Sequence, residues 1–113
     1  LNNYYKEKYN DDYKGFIIAK NELKKLNKHC IDNNINCKIV LMPDIHQLNP
    51  YKLSFINQKI EKFSNDNKIS YLDLLKSFKK VDEADIWNKY QDPHPNSYGH
   101  KIIAEEIYNF ITK

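Results

Sequence analysis

The spacing of apolar residues predicts four helices. Within residues 16–33, apolar side chains recur every three or four positions, and the same spacing marks about 51–66 and about 97–111. The segment 74–79 suits a fourth, shorter helix. On the first helix the predicted buried stripe consists of Phe16, Ala19, Leu23, Leu26 and Cys30. Residues 1–14 are polar and rich in tyrosine, which suits a helix that packs through one face.

Two short, largely apolar runs predict buried strands. They cover residues 37–42, where Pro43 ends the run, and residues 69–72. Because a helix lies between them, we expect a parallel pair with a right-handed crossover. Two parallel strands alone make a poor sheet, since both faces need cover. The pattern therefore predicts a piece of a larger α/β domain, or a chain that assembles with another copy.

The segment after the second strand contains the most distinctive chemistry. Residues 80–97 are predicted to be mostly loop, with one helical turn near 84–90. At its end an aspartate and a histidine alternate with two prolines, as Asp92-Pro93-His94-Pro95. The prolines favour extended conformations, in which residues two apart share a face. We therefore expect the carboxylate to orient the imidazole and leave one ring nitrogen free as a base.

The alternative is a proline-rich turn before a C-terminal helix, in which His94 is an ordinary loop residue without a catalytic role. Asn96 or Ser97 is expected to cap the helix that follows. His100, in the first turn of that helix, is expected to pack beneath the loop.

The same segment resembles the last sequence block of the SGNH/GDSL hydrolases, a family of serine esterases and acyl-transfer enzymes. That block reads aspartate, one or two residues, His-Pro-Asn, a few residues, Gly-His and an apolar helix, and it matches Asp92 through Ile103. Residues 39–48 and 69–74 show a looser likeness. The resemblance implies a flavodoxin-like three-layer α/β/α fold. Residues 1–113 would form the C-terminal part of one such domain, with about two parallel strands and four helices.

The resemblance also implies a reaction. His94 would be the general base and Asp92 its orienting acid in ester hydrolysis or acyl transfer, with an ester such as an acetylated glycan or lipid as substrate. Many family members place the acid three residues before the histidine, where this chain has Gln91, so another group is an alternative orienting partner. No cofactor or metal is implied.

The nucleophile of this family is missing from the chain. The family serine lies in a Gly-Asp-Ser motif, but neither Gly15 nor Gly99 has that context. We therefore expect the chain alone to be inactive and an N-terminal half, or another copy, to complete it. The alternative is a non-catalytic α/β binding or dimerisation module that retains the histidine loop.

Three further residues are candidates for substrate contact. Asp44 and His46 follow the first strand and offer a second acid and imidazole; the alternative is a polar turn in which Asp44 bonds local backbone N–H groups. Trp87 precedes the histidine segment and either lines a pocket or anchors the loop by its burial.

Composition excludes several classes of function. The net charge is +3 and all eighteen basic residues are lysines, spread along the chain without a basic stripe, so nucleic-acid binding is not expected. No apolar run approaches the ~18 residues of a membrane span. Cys30 and Cys37 are expected to be core thiols, with a disulfide as the alternative, and no zinc-ligand spacing occurs.

Overall fold

The computed structural model describes residues 2–113 and is mixed α/β. In the described part, six helices and four strands follow one another as α1 Asn2–Lys8, α2 Lys14–Asp32, β1 Lys38–Leu41, α3 Ser54–Asp66, β2 Ser70–Asp73, α4 Leu75–Phe78, α5 Glu83–Ile86, β3 Trp87–Lys89, β4 Asp92–Pro95 and α6 Ser97–Thr112. Strands β1 and β2 form a parallel pair, and β3 and β4 form an antiparallel pair. The predicted parallel pair on either side of a helix is confirmed.

One sequence prediction about the elements is incomplete and another is wrong. The described chain has six helices rather than four, since α1 and the single turn α5 form where the sequence suited a helix and a helical turn. Residues 80–97 are not mostly loop, because β3 and β4 form a hairpin with Trp87 opposite Pro95 and Lys89 opposite Asp92. A two-stranded hairpin has only edge strands, and an edge strand tolerates prolines that have no N–H to donate.

Contacts divide the chain into two compact units. The first unit comprises the chain up to Ile39 together with Leu53–Tyr71. The second comprises Val40–Lys52 and Leu72–Lys113. Every predicted site residue therefore belongs to the second unit.

In the first unit, α2 and α3 bury only part of their apolar surface. Phe16 and Cys30 of α2 and Phe63 of α3 are buried. In contrast, Leu26 of the predicted stripe is 50% exposed and Ile31 is 65% exposed. Apolar spacing thus located the helix correctly but overestimated how much of its face is covered.

Helices α2 and α3 end in the same type of turn. The residue after each C-cap, Asn34 or Lys68, has a left-handed backbone with φ of 58° or 54°. At the end of α3 the Ile69 N–H donates to the Ser64 carbonyl at 2.8 Å, which is the long hydrogen bond of a Schellman motif. Asparagine tolerates this conformation well, whereas lysine adopts it at a steric cost.

The second unit has one apolar core. Its buried members come from the β1–α3 connection, from the segment after β2 and from α5, and they are Ile45, Leu48, Leu74, Leu75, Phe78 and Ile86. Trp87 and, from α6, Ile102 and Ile103 pack on this cluster. The core therefore supports both the turn after β1 and the hairpin that carries the histidine.

Candidate functional site

Strand β4 presents Asp92 and His94 on one face of the hairpin. Asp92 Oδ1 is in hydrogen-bond contact with His94 Nδ1 and accepts from the His94 backbone N–H at 3.3 Å. The other carboxylate oxygen, Oδ2, accepts from Asn88 Nδ2 at 3.0 Å. These three residues are called the Asn88–Asp92–His94 chain below.

The charges in this chain determine the state of the imidazole. Hydrogen bonds from the Asn88 amide, the His94 ring and the His94 backbone N–H, in that order of size, lower the pKa of Asp92 to about 2. The carboxylate is therefore ionised near neutral pH and can only accept, so Nδ1 of His94 carries a proton. In the neutral ring, Nε2 then has a free lone pair and can act as a base.

Asn96 fixes the end of the hairpin against the start of α6. Its side-chain oxygen accepts from the Gly99 N–H at 2.9 Å and so caps the helix, while its Nδ2 donates to the carbonyls of Asp85 at 2.8 Å and Trp87 at 3.0 Å. Gly99 permits this close approach, because a Cβ there would lie 3.2 Å from the Ile86 carbonyl oxygen. Asn96 and Ser97 are the two residues predicted to cap α6, and the N-cap is Asn96.

The turn after β1 repeats the aspartate–histidine arrangement. Asp44 Oδ1 lies 2.5 Å from His46 Nδ1 and accepts from the His46 backbone N–H at 2.9 Å. The Asp44 N–H donates to the Tyr51 hydroxyl at 3.2 Å, which ties the turn to the segment that follows it. Both Asp-x-His segments therefore make the same aspartate–histidine contacts, one in a turn and one in strand β4, and both imidazoles are exposed.

Trp87 connects the hairpin that carries Asp92 and His94 to the turn that carries Asp44 and His46. Its indole N–H donates to the carbonyl of Ile45, at 2.7 Å. Ile45 is the middle residue of the first turn and is buried in the core. Trp87 itself lies in β3, opposite Pro95 of β4. The structure thus shows the anchoring role that the sequence left as an alternative, while substrate contact by Asp44, His46 and Trp87 stays a prediction.

Sequence reasoning missed Asn88 and misplaced His100. Asn88 carries no motif, and only the hairpin brings it to the Asp92 carboxylate. His100 is exposed instead of packed beneath the loop. Gly99, the residue before it, lies against Ile86 and is buried.

Both cysteines are free thiols in the first unit, and Cys30 is buried as the core-thiol prediction requires, whereas Cys37 is only half-buried. Burial raises the pKa of the Cys30 thiol, and its hydrogen bond with Cys37 acts in the same direction. Within residues 2–113, no three histidine, cysteine or acidic side chains are grouped so as to hold a metal ion. None of the helices in that range has the length and apolar character needed to cross a membrane.

Comparisons with known proteins assign neither a family nor a function to this chain. No protein-family model, curated protein or solved structure matches the chain. The Asn88–Asp92–His94 chain is therefore the main pointer to function.

Proposed function

We propose that this chain is the C-terminal part of a serine esterase or acyl-transfer enzyme of the SGNH type. The observation that carries the proposal is the Asp92–His94 pair, in which an ionised carboxylate holds Nδ1 and leaves Nε2 available. Nε2 takes the proton of a serine hydroxyl as that oxygen attacks the ester carbonyl, and then gives it to the departing alcohol. Asp92 stabilises the imidazolium that exists between these two steps.

The serine and the oxyanion-hole donors come from a segment upstream of Leu1 in this proposal. Among the described residues, no serine hydroxyl is hydrogen-bonded to the His94 ring. The β1–β2 pair fits a larger parallel sheet, because parallel sheets are normally wider and covered on both faces. The exposed side chains of Ile18, Leu26 and Val40 supply apolar surface for such cover. The whole domain is proposed to have the flavodoxin-like three-layer fold.

The proposed substrate is an ester such as an acetylated glycan or lipid. The anchored turn that carries Asp44 and His46 supplies polar contacts to the substrate. The bond from Trp87 to Ile45 supports this, since it ties that turn to the hairpin of the proposed base. Hydrogen-bonding side chains on a supported turn suit recognition of the hydroxyl groups of a sugar.

The full-length protein provides a test with an internal control, because His46 has the same local geometry as His94. We expect His94→Ala to lower kcat/KM for an acetyl ester by about 10²- to 10⁴-fold, since the general base is lost. His46→Ala should mainly raise KM, since His46 is proposed to contact the substrate and not to take part in the proton transfer. Asp92→Asn should cost up to ~10⁴-fold in kcat if Asp92 alone sets the tautomer, and less if main chain or Gln91 also orients the ring.

Unchanged kinetics in His94→Ala, with the variant folded by circular dichroism, would refute the catalytic assignment. Equal losses of kcat in His46→Ala and His94→Ala would show that the assay does not distinguish chemistry from folding. A serine variant in the upstream segment should match His94→Ala, because nucleophile and base act as one unit.

One observation favours a second function, a non-catalytic binding or dimerisation module. The His94 side chain is 87% exposed, which is high for a base that works in a water-excluded site. The reading frame upstream of Leu1 discriminates between the two functions. A strand that ends in a Gly-Asp-Ser-type turn supports the esterase, and its absence supports the module.

A further inference from the structure

A groove in the first unit has a lining rich in lysine. It lies between α2 and α3, has a volume of about 650 Å³ and is backed by the buried rings of Phe16 and Phe63. Its charged lining residues, which define the lysine groove, are Lys20, Lys24, Lys59, Lys62, Asp11 and Asp66. Four lysines and two aspartates give this lining a net charge of +2.

Two of the four lysines converge on the carboxylate of Asp11. Lys59 Nζ lies 3.1 Å from Asp11 Oδ1, and Lys20 Nζ lies 3.8 Å from the same oxygen. The pKa of the Asp11 carboxyl is lowered by the hydrogen bond and charge of Lys59, and further by the charges of Lys20 and Lys62. Lys59 and Lys20 thus pair with Asp11. Lys62 Nζ pairs with Asp66 Oδ2 at 2.7 Å, and the lining keeps its net charge of +2.

Two of these lysines are held in place. The side chains of Lys20 and Lys59 are only 24% and 32% exposed. The Lys20 ammonium also lies 4.3 Å from the centre of the Phe16 ring, within the range of a cation–π contact. An anion that enters the groove therefore meets charges whose positions are already restricted, which lowers the entropic cost of binding.

We infer that the lysine groove binds the phosphate group of a small molecule. A divalent phosphate balances the net charge of +2, and lysine ammonium groups bind phosphate as point charges. Asp11 marks the position of the anion. Its carboxylate is held by the same lysines that would bind the phosphate, and it therefore competes with the phosphate for them. The volume is in the range of small-molecule sites. This inference is independent of the proposed esterase activity.

Variants of opposite sign test the site, with inorganic pyrophosphate titrated into the full-length protein by calorimetry at low salt. Lys59→Ala should weaken binding at least about fivefold, because one charge contact is lost. Asp11→Asn should strengthen binding by a similar factor, because the internal competitor is removed. The control is Lys25→Ala, which also removes one positive charge. Lys25 belongs to α2 but lies outside the groove, where its ammonium group pairs with Glu22 at 2.9 Å.

The absence of saturable pyrophosphate binding would overturn the inference. It would also be overturned if Lys25→Ala weakened binding as much as Lys59→Ala, or if Asp11→Asn failed to strengthen it. A second arm uses phosphatidylcholine vesicles with and without phosphatidic acid. Lys59-dependent sedimentation with the acidic vesicles assigns the phosphate to a lipid headgroup, and pyrophosphate binding without sedimentation assigns it to a soluble compound.

Discussion

Asp92 receives three hydrogen bonds. The amide of Asn88 and both the ring and the backbone N–H of His94 reach it, and each bond favours the charged form. The folded pKa of about 2 lies below the ordinary 3.8. This group therefore stabilises the folded hairpin above pH ~4 and loses that contribution as the pH falls through about 2.

Asn88→Ala should raise the pKa of Asp92 from about 2 towards 3.8, because the largest stabilising hydrogen bond to the carboxylate is removed. Carbon-13 NMR of the Asp92 carboxyl across an acid titration measures this value directly. Asn109→Ala, which removes an exposed amide from α6, is the matched control and should leave the titration unchanged. If the midpoint stays near 2 in Asn88→Ala, the two His94 contacts are sufficient and Asn88 does not help to position the acid.

Among the single elements, α3 ends in a backbone conformation that is sterically unfavourable for the residue it carries. Lys68 has a φ of 54°, in the region that glycine adopts freely. We expect Lys68→Gly to raise the free energy of unfolding by about 1 kcal/mol, since relief of the side-chain clash exceeds the added flexibility of the unfolded chain.

Chemical denaturation measures the effect of Lys68→Gly. The control Lys24→Gly makes the same change inside α2, where it should lower stability by about 1 kcal/mol. A loss of stability in Lys68→Gly would mean that contacts of the lysine side chain outweigh the backbone strain.

The elements differ in how much of them the sequence predicts. The helices α2, α3 and α6 follow from apolar spacing, because a long amphipathic helix repeats its signal several times. The β3–β4 hairpin does not, because its strands have three and four residues, include two prolines and pair with an irregular register. The contact between Asp92 and His94 can be predicted from the sequence, because the two residues are only two positions apart. The contact between Asn88 and Asp92 cannot, since it depends on that hairpin.

For the whole molecule, exposed apolar side chains lead to a prediction about association. Ile31 and Ile35 in the first unit are more than half exposed, and so are Tyr108 and Ile111 in the second. Purified residues 1–113 should therefore self-associate or bind a hydrophobic dye strongly, because monomeric proteins rarely expose large apolar patches. Light scattering and dye fluorescence measure this. A monodisperse monomer that binds no dye and melts sharply would contradict the proposal that further strands complete the sheet.

Trp87 is the only tryptophan of the chain. Its indole bridges the hairpin and the turn at Ile45, so the tryptophan fluorescence, excited selectively over that of the nine tyrosines, originates where the two Asp-x-His segments are joined. Indole emission depends on the immediate surroundings of the ring, and a rearrangement of either segment is thus visible without a label. The same signal follows the unfolding of the second unit, while far-ultraviolet circular dichroism follows helices in both. Recording the two together separates events at the histidine site from events at the lysine groove.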